Sequence, residues 1–103
     1  MTAAHLSNEL LEQFRRKYLW WTPVDGRPFS EERVIAQTMN LGTYDDILLL
    51  EKAVGHMRLV EIMRHAEPGW LNDRSWVFWR GRLTFRTGMS ISDRAPHRAF
   101  RSE

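Results

Sequence analysis

The sequence predicts an all-α fold, a compact bundle of about five short helices followed by a basic C-terminal tail. Three observations carry that prediction. Apolar residues recur at helical spacing in five separate segments. Four of those segments open on a serine, threonine or asparagine placed to cap a helix, and glycine or proline punctuates the gaps between them. The chain is 103 residues long, which is enough for one hydrophobic core and too little for two.

Ser7 caps a first helix that carries Leu10, Leu11, Phe14, Tyr18 and Trp21 as one apolar stripe, with Arg15, Arg16 and Lys17 on or beside the opposite face. This helix is expected to end near Trp21, because Thr22 precedes a proline and Asp25-Gly26 reads as a turn; a loop then runs to Pro28. Ser30 caps a second helix, Glu31 to about Leu41, whose acidic first turn suits the helix dipole and whose Val34, Ile35, Thr38, Met39 and Leu41 keep helical spacing. Gly42 stops it.

Thr43 caps the third helix, with Asp45 and Asp46 in its first turn and then Ile47, Leu48, Leu49, Leu50 and Val54. Four consecutive apolar residues cover more than one face, so this helix is expected to be the central and most buried one. Gly55 introduces a fourth helix, His56 to His65, presenting Leu59, Val60, Ile62 and Met63 and ended by Pro68-Gly69. Asn72 caps a fifth, Asp73 to about Leu83, carrying Trp76, Val77, Phe78, Trp79 and Leu83. The domain is therefore expected over 1–83. Residues 84–103 mix glycine, serine, proline and arginine with scattered apolar residues, and are expected to form a flexible basic interaction tail.

Charge separates the two parts. Residues 1–70 hold eight Lys or Arg against ten Asp or Glu, whereas 71–103 hold seven against three. Thirteen of the fifteen basic residues are arginine, the side chain suited to bidentate contacts and aromatic stacking. Cysteine is absent, which excludes a disulfide scaffold, a zinc finger and a thiol nucleophile. No segment approaches the ~20 apolar residues that span a bilayer, and the start lacks the features of a secretory signal, so a cytoplasmic location is expected.

No chemical motif emerges. His5, His56, His65 and His97 are scattered, and neither a metalloprotease, a phosphate-loop, a nucleophile-elbow nor a dinucleotide pattern occurs. Asp45 and Asp46 point about 100° apart on a helix and suit capping better than a metal. Hence no catalytic residue, metal ligand or cofactor is expected. The segment Val34 to Val54 has the rhythm of a helix-turn-helix, but its second helix is acidic and would repel a phosphate backbone. Trp76 and Trp79 read as core. Trp20 and Trp21 cannot both face inward on one helix, which leaves Trp20 as a contact candidate.

The run RVIAQTMNLGTYDDILLLEKAVGHMRLVEIMRHAEPGWLNDRSWVFWRGRL, Arg33 to Leu83, resembles a family of small bacterial proteins encoded beside nucleotidyltransferase-like toxins of the abortive-infection type. The resemblance rests on the M-N-L-G-T stop, the D-D pair, the leucine run, Gly55, the R-L-V-E-I-M-R-H helix and an S-x-x-F-W motif at Ser75, Phe78 and Trp79. It covers about half the chain and implies an antitoxin-like role, binding and neutralising a cognate nucleotidyltransferase-type toxin. The extension after Leu83 departs from the family, so its residues are argued from chemistry. Arginines folding onto the toxin would suit a phosphate-binding, carboxylate-lined pocket.

Trp20, Arg80, Arg82, Arg86, Arg94, Arg98, Phe100 and Arg101 are accordingly the expected partner-binding residues. A second reading is a small DNA-binding regulator using the same basic C-terminal strip, so nucleic acid stands as an alternative partner. A helical domain this small also gains by pairing with a second copy, which leaves a homodimer open.

Overall fold

Side-chain caps fix where four of the five helices begin. The computed structural model describes residues 6–20 and 29–96. The helices are α1 (Asn8–Tyr18), α2 (Glu31–Leu41), α3 (Tyr44–Val54), α4 (His56–Arg64) and α5 (Asp73–Thr87). The Ser7 hydroxyl accepts the Leu10 N–H, Ser30 that of Arg33 and Thr43 that of Asp46, while the Asn72 amide oxygen accepts the Ser75 N–H. Each bond satisfies a backbone donor that the first helical turn cannot. No strand occurs among the described residues, and the fold is an all-α bundle.

The expected ends hold less evenly than the starts. α1 stops at Tyr18 rather than near Trp21, because Leu19 leaves helical geometry (φ −136°, ψ 52°) and turns into the core, where it is 2% exposed. Gly55 takes φ +82° and serves at once as the C-cap of α3 and the N-cap of α4, so the chain turns the corner on this one residue. Trp21, the Thr22-Pro23 stop, the Asp25-Gly26 turn, His5 and His97 lie outside the described residues, as do Arg98, Phe100 and Arg101.

The central helix is α2, not α3. Every residue from Val34 to Met39 is buried, and α2 touches each of the other four helices. The apolar run of α3 divides instead. Ile47 and Leu50 face the core, while Leu48 and Leu49 are 41% and 44% exposed, because only one face of α3 has a helix to pack on. Phe14, Ile35, Leu50, Leu59, Trp79 and Leu83 are fully buried around this axis. The Trp79 indole N–H donates to the Met39 carbonyl at 2.9 Å, so the largest core side chain satisfies its polar atom on α2.

α5 runs past Leu83 to Thr87, ending where Gly88 adopts the left-handed conformation (φ +74°) and donates its N–H to the Thr84 carbonyl. Residues 88–96 then return along the bundle. Ile91 and Ala95 are 6% and 4% exposed, and three side chains hold three successive carbonyls: Arg64 that of Ser90, Arg80 that of Ile91 and the Trp76 indole that of Ser92. This part of the expected tail thus lies packed on the domain. Isolated apolar residues at 91 and 95 make no helical pattern, yet they suffice to anchor an extended segment whose backbone is bound by long donors.

Candidate partner-binding surface

The solvent side of α5 carries several exposed apolar residues. Trp76, Trp79 and Leu83 point inward and are at most 2% exposed. Positions 74, 77, 78, 81 and 85, separated by helical spacing, form the opposite stripe. It carries Val77 at 64%, Phe78 at 44% and Phe85 at 88% exposure, with Arg74 also exposed. Gly81 sits at its centre. A Cβ built on Gly81 meets nothing within 4 Å, so no contact among the described residues accounts for a glycine in mid-helix. Large apolar residues on the outer side of a helix ordinarily find cover; among the described residues Val77, Phe78 and Phe85 stay exposed.

Beside this stripe lies a groove. α3 and α5 both pack against α2 and α4 while their own backbones stay apart, bridged by side chains, leaving a cavity of about 310 Å³ lined by Met39, Asn40, Tyr44, Ile47, Arg74 and Phe78 among others. Two of its lining rings, Tyr44 and Phe78, also meet Arg82, whose guanidinium lies 5.9 Å from both ring centroids. A bidentate pair with the buried Glu51 carboxylate holds Arg82 in place, its Nη2 lying 2.8 Å from Oε1. Arg82 lowers the Glu51 pKa below the usual carboxylate range against the opposing effect of burial, and Glu51 in turn raises that of Arg82. His56 Nε2 lies 3.4 Å from Glu51 Oε2 as a third member of the cluster.

The expected contact residues are therefore dispersed. Arg82 is occupied by Glu51 and acts as the floor of an aromatic rim. Arg80 is occupied by the Ile91 carbonyl and by Asp93 at 2.7 Å. Arg86 and Arg94 are exposed. Trp20 is 76% exposed, but it follows α1, which among the described helices packs on α2 and does not reach α5. Arg98, Phe100 and Arg101 are outside the described residues. The surface that the structure assembles instead comprises Val77, Phe78, Gly81 and Phe85 with Tyr44 from α3. The signal was present in the sequence: Trp76, Val77, Phe78 and Trp79 are four consecutive apolar residues, and a helix cannot bury all four against one neighbour.

A second concavity of about 310 Å³ is lined by Glu32, Arg58, Glu61, Ile62, His65 and Trp70. Its one arginine is paired internally, Arg58 lying 3.0 Å from Glu32, 3.5 Å from Glu31 and 3.9 Å from Glu61. Among the described residues no three His, Asp or Glu side chains converge as a metal site would require, and no helix is long and apolar enough to cross a membrane. Compared with known protein families, curated proteins and solved structures, the chain has no match.

Proposed function

We propose that this chain acts without catalysis, by binding another protein through the outer face of α5 and the adjoining Tyr44–Phe78 groove, and that the partner is the nucleotidyltransferase-type toxin implied by the resemblance of Arg33 to Leu83. One observation carries the reading: α5 buries Trp76, Trp79 and Leu83 and, among the described residues, leaves Val77, Phe78 and Phe85 exposed on its other side, interleaved with arginine. Aromatic residues beside arginine are the composition of an interface centre, and here Tyr44, Phe78 and Arg74 line one groove while Arg82, held by Glu51, lies against the Tyr44 and Phe78 rings; Phe85 continues the exposed stripe about two turns further along α5. Preorganised aromatics lose little entropy on binding.

The alternative of a nucleic-acid regulator draws on the exposed Arg74, Arg86 and Arg94. It is weakened by the internal bonds of Arg80 and Arg82, two of the cations it needs.

Co-purification with the product of the neighbouring gene tests the proposal, using the full chain and a Val77→Asp/Phe85→Asp variant. A stable complex that the double variant weakens by at least about a hundredfold is the expected result, since two exposed anchors each contribute about 1–3 kcal/mol when covered. A complex indifferent to both substitutions overturns the assigned surface. Duplex DNA binding that falls steeply with salt, in a chain that captures no protein, favours the regulator.

A further inference from the structure

The glycine at the centre of an exposed apolar stripe constrains what covers it. Glycine in mid-helix is about 1 kcal/mol less favourable than alanine, and its one structural return is close approach of another backbone. Around Gly81 two apolar residues are placed symmetrically, Val77 four positions before it and Phe85 four after, while Phe78, three before, is matched by Thr84, three after. Arg74 lies seven before, and the helix ends at Gly88, seven after.

This arrangement is self-complementary. If two copies of α5 cross antiparallel with a two-fold axis beside Gly81, each position before the glycine stands level with the equivalent position after it on the other copy. Val77 of each copy then lies beside Phe85 of the other, a small apolar side chain against a large one. Arg74 of each copy stands level with Gly88 of the other, where the last carbonyls of α5 attract a cation and Arg86, in the last turn, opposes it. A parallel crossing would instead set Arg74 against Arg74.

The geometry points to α5 as the contact helix of an antiparallel homodimer that crosses at Gly81. The inference rests on the reading of α5's outer face as a contact surface, and it names a second copy of this chain as an occupant. One 15-residue helix pair, roughly 22 Å long, falls at the low end of specific interfaces, so the dimer forms at micromolar concentration rather than tightly.

Because the chain contains no cysteine, single cysteines report the geometry without background. A mixture of Val77→Cys and Phe85→Cys chains should form a cross-linked dimer under mild oxidation, whereas Val77→Cys alone should not. In the antiparallel pair the two 77 positions stand about 12 Å apart along the helix, beyond the roughly 7 Å limit of a disulfide. Cross-linking of Val77→Cys with itself and not with Phe85→Cys would mean a parallel pair and overturn the proposal. Sedimentation equilibrium of the unsubstituted chain should show dimer at about 100 µM, and Gly81→Leu, with an unchanged helical circular-dichroism spectrum, should remain monomeric. An unsubstituted chain that stays monomeric, or a Gly81→Leu chain that dimerises equally well, also overturns it. Neither of those results bears on capture of the neighbouring gene's product, so failure of the homodimer and failure of the partner surface are told apart.

Discussion

Asp46 shows how one buried charge organises distant parts of the chain. It is 3% exposed and its carboxylate accepts from Lys17 Nζ at 2.6 Å and from the Tyr18 hydroxyl, which itself accepts the Thr43 N–H. Burial alone would raise its pKa, but the bonds from Lys17 and Tyr18 more than offset burial and hold it below the ordinary 3.8. Glu51, bonded to Arg82, is likewise held below its ordinary 4.5. Both groups have folded-state values lower than unfolded ones. Their stabilisation is therefore complete above the ordinary values and is lost as pH falls through the depressed ones. The melting temperature should be level above about pH 5 and decline below it. Asp46→Asn should lower stability at neutral pH by ~1–3 kcal/mol and make the acid decline shallower, as measured by melting curves across pH. A full acid decline in that variant would remove Asp46 from the account. The first-turn position of Asp46 was legible from Thr43, but its bond to Lys17 spans 29 residues and had no local signature.

Among the helices, local chemistry made the starts legible and tertiary packing decided the ends. Ser7, Ser30, Thr43 and Asn72 cap as their sequence context predicts, because a cap needs only neighbours three residues away. The end of α1 and the extent of α5 depend on where Leu19, Ile91 and Ala95 find core, which no window of sequence contains. Two glycines illustrate the same division. A Cβ on Gly42 would lie 2.4 Å from the Thr38 carbonyl oxygen, so Gly42→Ala should destabilise by about 1–3 kcal/mol. Gly81→Ala meets nothing and should stabilise dilute protein by about 0.5–1 kcal/mol. Urea denaturation distinguishes the signs, and destabilisation by Gly81→Ala would show that the mid-helix glycine serves the isolated chain. The returning segment makes a third case. A chain ending at Leu83 loses the buried Ile91 and the last turn of α5, and should be at least ~2 kcal/mol less stable in urea than one ending at Pro96. Equal midpoints would make residues 84–96 incidental to the fold.

Across the whole molecule, the excess of arginine in the C-terminal third is divided between internal and external use. Arg80, joined by Arg64 from α4, holds the returning segment and Arg82 the aromatic rim, which among the described residues of that third leaves Arg74, Arg86 and Arg94 for the surface. Charge counting from the sequence could not make that division, because the acceptors are backbone carbonyls and a glutamate 31 residues away. The apolar stripe of α5 was legible in part, as too many large residues for one face. What was hidden is which of them face outward, since that depends on α2 claiming Trp79 through the Met39 carbonyl. If the same stripe takes both a second copy and a partner protein, the two equilibria are linked. Only monomer binds the partner, so the apparent dissociation constant is the intrinsic one divided by the monomer fraction. At a chain concentration about a hundredfold above the dimer constant, that fraction is roughly 0.07 and the apparent partner affinity should fall by about tenfold or more. Titration of the partner at chain concentrations below and well above the dimer constant measures this directly. Equal affinities in the two regimes would place dimer and partner on different faces, and would confine the partner to the Tyr44 side of the groove.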